Sequence, residues 1–156
     1  MSVSLSSPVT GAAMTGFTSP TFTLVSDAAP NAQSKQWAVT TLGGTQPSGV
    51  DVHSISSPFT VTVERPANYR GVGTPNPVTG VLGVQPRNVS KIRFRKGMLP
   101  LAGQADQICN CELRIPVVAG ADTADPDNIR ALLSCIGGVL NENADALAQF
   151  LIDGIL

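Results

Sequence analysis

The sequence predicts a single α+β domain, with an antiparallel sheet first and two helices last. Two observations carry this. Apolar and polar residues alternate through 59–64, 91–98 and 108–117, and the period becomes helical after residue 121. Gly (15) and Pro (12) are frequent enough to exclude a long-helix protein. A length of 156 residues suits one domain, and 42% hydrophobic with 13% charged residues argues for a packed core rather than disorder.

The domain spans residues 1–156 in three stretches. Residues 1–57 read as an N-terminal hairpin with further strands, 58–118 as the main sheet, and 122–156 as the helices. Residues 1–20 are uncharged and rich in Ser, Thr, Gly and Pro, suiting an extended arm or first hairpin. β-favouring runs follow at 22–25, 37–42 and 50–55, separated by turn clusters at 29–31 and 43–49. In 59–64, Phe59, Val61 and Val63 share one face; Thr60, Thr62 and Glu64 share the other. Residues 65–88 form a long Pro/Gly-rich connection with room for a short hairpin. In 91–98, Ile92, Phe94 and Met98 oppose Lys91, Arg93 and Arg95. In 108–117, Cys109, Cys111, Leu113 and Ile115 oppose Asn110, Glu112 and Arg114. Strands with one apolar and one polar face describe a sheet covered on one side only.

The first helix opens with Asp125 as N-cap and Pro126 as first helical residue. Its apolar stripe is Ile129, Leu132, Leu133, Ile136 and Leu140, and Gly137-Gly138 either ends it or admits a close backbone approach. A second helix starts near Asn143, with Leu147, Phe150, Leu151 and Ile155 on its stripe. Two short helices are too little cover for the sheet, so oligomerisation is expected.

The formal net charge of −1 hides a segregation: eight basic against three acidic groups before residue 97, two against eight after it. Five of the ten basic residues lie between Arg87 and Lys96, so a polyanion partner is plausible for that segment. No basic leader precedes an apolar run, and 131–140 is too short to cross a bilayer. Three cysteines suit free thiols in a reducing cytoplasm, packed beneath the helices. With His53 they could form a Cys₃His zinc site, although Cys-x-Cys spacing is unusual there. Asp51 and His53 share a strand face, which keeps a small hydrolase in view, yet no glycine-framed nucleophile elbow accompanies them. Neither enzymatic activity nor a cofactor is expected.

Three pieces of sequence then become familiar: Lys91-Ile92-Arg93-Phe94-Arg95, the run from Asn110 through Glu112-Leu113-Arg114-Ile115-Pro116 to Val117, and Asn128-Ile129-Arg130-Ala131-Leu132-Leu133, followed by the 147–156 tail. In order and spacing to the chain end, they resemble the coat proteins of single-stranded RNA bacteriophages, the levivirus group. The resemblance covers roughly the last 65 residues. It implies an intertwined homodimer, with two sheets joined edge to edge and the helices of each subunit crossing onto the partner's sheet, so that the stripe of Ile129, Leu132, Leu133, Ile136 and Leu140 forms the dimer interface. It further implies an icosahedral shell, usually T=3, assembled in the bacterial cytoplasm and packaging genomic RNA on the polar sheet face. An RNA hairpin bound there would repress translation. The implied RNA side carries Thr60, Thr62, Lys91, Arg93, Arg95, Asn110, Glu112 and Arg114. Lysine and arginine there would neutralise phosphates, while threonine and asparagine address bases or riboses. The loop from 97 to 107 corresponds to the one that makes contacts around the shell's axes. Ile108 stands where family members often carry a base-stacking aromatic. The competing class is a β-rich phage or bacterial interaction or adhesion module without nucleic-acid binding.

Overall fold

The computed structural model describes residues 2–155. Six antiparallel strands lie in sequence order: β1 (Val9–Thr10), β2 (Thr18–Asp27), β3 (Ser34–Thr45), β4 (Phe59–Glu64), β5 (Arg87–Met98) and β6 (Gln107–Val118). Then come α1 (Ala121–Ala124), α2 (Pro126–Glu142) and α3 (Ala144–Asp153). Each strand pairs antiparallel with the next in sequence, even across the long 46–58 and 65–86 links.

The core sits on the apolar face toward the β2 side: Leu24, Trp37, Val39 and Val61, ringed by Leu5, Phe22, Leu42, Phe59, Val63 and Ile92. Phe22 meets Phe59 edge to face, with centroids 5.7 Å apart, the arrangement that ring quadrupoles favour. The N-terminal arm folds back on this region. Ser7 Oγ accepts from the Leu24 amide, and Lys35 Nζ donates to Ser2 Oγ and the Val3 carbonyl.

Strand extents exceed the alternating runs. β2 and β3 pair out to Thr18↔Thr45 through register shifts. One of these is shaped by Gly44, whose φ of 71° and close approach to the Ser19 backbone leave no room for a side chain. Residues 50–55 are not a strand: they run beside β3 beyond its pairing with β4, which ends at Ala38↔Thr60, and make only one backbone hydrogen bond to it. They are pinned instead: the His53 amide donates to the Val39 carbonyl, His53 Nδ1 accepts from the Phe59 amide at 3.0 Å, and Lys96 Nζ donates to the Asp51 carbonyl.

The 65–88 connection holds no paired hairpin. Its near end is fixed by the buried Asn88 amide, which donates to the Arg70 carbonyl and accepts from the Arg70 N–H, both at 2.8 Å. Tyr69 donates to Asp122 of α1.

α2 begins at Pro126 as expected, although the Asp125 side chain makes no capping bond and accepts instead from Asn128. Gly137-Gly138 do not end α2; it runs through them to Glu142, with open space where side chains would be. α3 stops at Asp153, with Gly154 in the left-handed conformation after it, so Ile155 lies beyond the helix rather than on its stripe.

Candidate nucleic-acid interface and assembly surfaces

Strand register brings the candidate polar residues into three rows. Ser34, Glu64, Lys91 and Arg114 face one another across β3 to β6; the next rows are Gln36, Thr62, Arg93, Glu112 and Ala38, Thr60, Arg95, Asn110. All eight candidate RNA-side residues therefore share one sheet face, since facing residues of an antiparallel pair project to the same side.

Accessibility across that face is graded. Thr60 and Thr62 are buried, at 1% and 4% exposure, which corrects their expected role as surface contacts. A threonine is shorter than the arginines and glutamine around it and forms the floor of the face. Thr62 Oγ1 donates to Gln36 Oε1 at 3.0 Å, while Thr60 Oγ1 has no hydrogen-bond partner among the described residues. Lys91, Arg93 and Arg95 are half-buried; Asn110, Glu112 and Arg114 are exposed.

Glu112 organises the charges. Its Oε2 accepts from Arg93 Nη2 at 3.0 Å and Nε at 3.3 Å, and its Oε1 lies 3.4 Å from Arg114 Nε. The Arg93 hydrogen bond, with the charges of Lys91, Arg93 and Arg114 behind it, holds its carboxyl below the usual range. Lys91 and Arg95 form no ion pair among the described residues. Four cations against Glu64 and Glu112 leave the face net positive.

The opposite face is unfinished. A cavity of about 430 Å³ is lined wholly by apolar residues, including Leu5, Phe22, Val39, Phe59, Ile92 and Phe94. The helices leave it open. None of their residues is buried, and Leu132, Leu133 and Leu140 of the expected interface stripe are 49%, 43% and 55% exposed, with Ile129 and Ile136 intermediate. α3 is tethered at its first turn, where Asp145 Oδ1 accepts from the Thr15 amide at 2.7 Å. β6 has β5 on one side and no strand on the other.

A chain solved in the virus-like particle of bacteriophage ESE020 superposes on this one with a TM-score of 0.93. The two are 48% identical, over 99% of this chain and 100% of that one. The chain belongs to the bacteriophage coat proteins. Its role is that of a structural capsid protein. No family model matches the coat protein, and neither does any curated sequence.

The remaining sequence candidates occupy structural places. All three cysteines are exposed in the single coat-protein chain, not packed beneath its helices. His53 sits in the pinned 50–55 segment, its Nδ1 committed to the Phe59 amide. No group of three or more metal-ligating side chains converges among the described residues. Lys96 lies on the apolar side, 4.9 Å from the centroid of the Phe59 ring. Sequence reasoning missed Gln36, which extends the polar row through Thr62; it lies just before the 37–42 run, and its signal was a polar residue alternating with Trp37.

Proposed function

We propose that this coat protein is of the levivirus type: two copies form an intertwined dimer, dimers build an icosahedral shell, and the polar sheet face holds single-stranded RNA inside it. The observation that carries this is surface. A compact monomer of 16.1 kDa exposes about 7,400 Å², whereas this chain exposes 10795 Å². The excess, on the order of 3,000 Å² per chain by that scaling, is the size of cover that obligate interfaces supply. Part of it lies where a partner would act, on the apolar cavity of the sheet, the stripes of α2 and α3 and the open edge of β6, and part on the 65–88 connection, where Val78 and Val84 are 90% and 103% exposed. Ile129, Leu132, Leu133, Ile136 and Leu140 then pack on the partner's sheet.

In this arrangement Lys91, Arg93, Arg95 and Arg114 hold phosphates, and Asn110 reaches bases or riboses. Thr60 and Thr62 set the floor beneath them. Leu99 and Leu101, 56% and 67% exposed in the β5–β6 loop, suit contacts around the shell's axes. The mechanism is binding without chemistry: burial of apolar area drives assembly, and counterion release drives packaging. The protein would reside in the virion after assembly in its host's cytoplasm, and hairpin recognition would add translational repression.

Electron microscopy of the protein expressed alone, with the 260/280 nm absorbance ratio of the same fraction, tests this. Uniform round shells containing nuclease-protected RNA are expected. A nucleic-acid-free monomer over a range of salt and pH overturns the reading in favour of a protein-only interaction module.

A further inference from the structure

The open edge of β6 carries two thiols, Cys109 and Cys111, that neither the fold nor RNA binding uses. The two halves of that edge differ. Residues 114–118 line a cavity of about 460 Å³ beside the first half of α2, and Pro116 has no N–H to give a ladder. Residues 107–113 line no part of that cavity, and every residue from 107 to 112 is exposed. Such a row of unpaired backbone groups is a template for another strand.

A second copy related by a two-fold axis normal to the sheet adds there antiparallel, with both polar faces on the same side. Each residue then meets one of its own parity. Centring the axis on the free stretch 107–113 places Asn110 on it and sets Cys109 opposite the partner's Cys111, twice. Facing Cα atoms in an antiparallel pair lie about 4.5–5.5 Å apart, inside the roughly 4.4–6.8 Å that a disulfide spans. Within one chain the two cysteines are a poor pair. Two residues apart on an extended strand, they are about 6.8 Å apart and project in parallel.

We propose that β6–β6 pairing creates two symmetry-related intersubunit disulfide sites, each joining Cys109 to the partner's Cys111, which lock the dimer covalently on oxidation. This rests on the edge-to-edge dimer proposed above. For each bond, two thiols give up two protons and two electrons to a small-molecule disulfide such as oxidised glutathione. One sulfur–sulfur bond forms in the protein as one breaks in the oxidant, releasing two small thiols.

The test treats the full chain with oxidised glutathione and compares non-reducing gels, peptide mass spectra and native molar mass by light scattering. Expected is a band at about twice 16.1 kDa that dithiothreitol removes, with a Cys109–Cys111 cross-linked peptide. Cys109→Ser and Cys111→Ser each abolish the band, and Cys135→Ser leaves it unchanged. A monomer by light scattering refutes the dimer reading itself. A native dimer or shell without the band, a band that survives Cys109→Ser, or zinc bound by the thiolates overturns the disulfide proposal while leaving the dimer standing.

Discussion

The two halves of the sheet differ in what the chain finishes alone. Along one apolar row, Trp37 and Val61 are 9% and 8% exposed, whereas Phe94 on β5 is 44% exposed and Cys111 on β6 is open. The β2–β4 half is covered in part by the N-terminal arm, whose Leu5 packs on its core, around the apolar cavity that this half shares with Ile92 and Phe94. The β5–β6 half, with the helices beside it, buries little. A single copy thus builds a nucleus and leaves the rest of its apolar surface as assembly surface. A monomeric enzyme of this length would gain nothing by exposing so much; a shell protein needs it.

Breaking the open half has the largest expected effect. Leu133→Asp places an unpaired carboxylate in the proposed helix–sheet interface, costing about 3–5 kcal/mol, or roughly two to four orders of magnitude in dimer affinity. Light scattering should show a monomer while circular dichroism retains the sheet. An intact dimer removes this stripe from the interface. Breaking the covered half acts on folding instead. Trp37→Ala should cost about 3–5 kcal/mol of stability, read from denaturant midpoints. If Leu133→Asp destabilised the monomer as much as Trp37→Ala does, the division between the halves would fail.

The same division marks what was legible in the sequence. β4, β5 and β6 were readable because each keeps one face polar over six residues or more; their parities assign residues to the polar face, while the rows follow only from the strand register. The helix start at Pro126 was readable from local chemistry. Residues 50–55 were not, because valine and isoleucine favour a strand only in a context that sets up a ladder, whereas here the chain is held by the single His53–Val39 backbone bond and the His53 ring. Gly137-Gly138 stay helical because the helix cost of glycine, about 1 kcal/mol each, is too small to stop a long amphipathic run. The burial of Thr60 and the exposure of the cysteines were invisible for one reason: parity reports which face a residue takes, not how deep its neighbours bury it.

On the polar face the comparison is between arginines that Glu112 holds and cations that it does not. Glu112→Gln should release Arg93 and Arg114 to phosphates. Each added phosphate contact steepens the log–log salt dependence of single-strand binding by about 0.7, measurable by RNA retention against salt. Protonation of Glu112 has the same consequence. Its carboxyl lies below the usual range, so the clamp is complete at neutral pH and is lost only as pH falls through that lowered value. Between pH 7 and 5 the wild-type salt slope should therefore stay constant. A slope that rises across that window, or one unchanged in Glu112→Gln, would show that the carboxylate does not restrain the arginines.

The smallest effect separates two neighbours on the floor of that face. Thr62 and Thr60 are both buried, yet only Thr62 hydrogen-bonds, to Gln36. Thr62→Val leaves the Gln36 carbonyl oxygen without its donor and should cost about 1 kcal/mol. Thr60→Val removes a hydroxyl that is already desolvated and unpartnered, so its stability should equal or exceed the wild type's. Denaturant midpoints of the two variants decide this. Equal losses would mean that Thr60 Oγ1 has a partner in solution. RNA retention gives the complementary reading, because a hydroxyl at the floor contributes to packaging only if RNA displaces the arginines above it. Retention by Thr60→Val at the wild-type level would confine the interface to the tier above the floor, Lys91, Arg93, Arg95, Asn110 and Arg114.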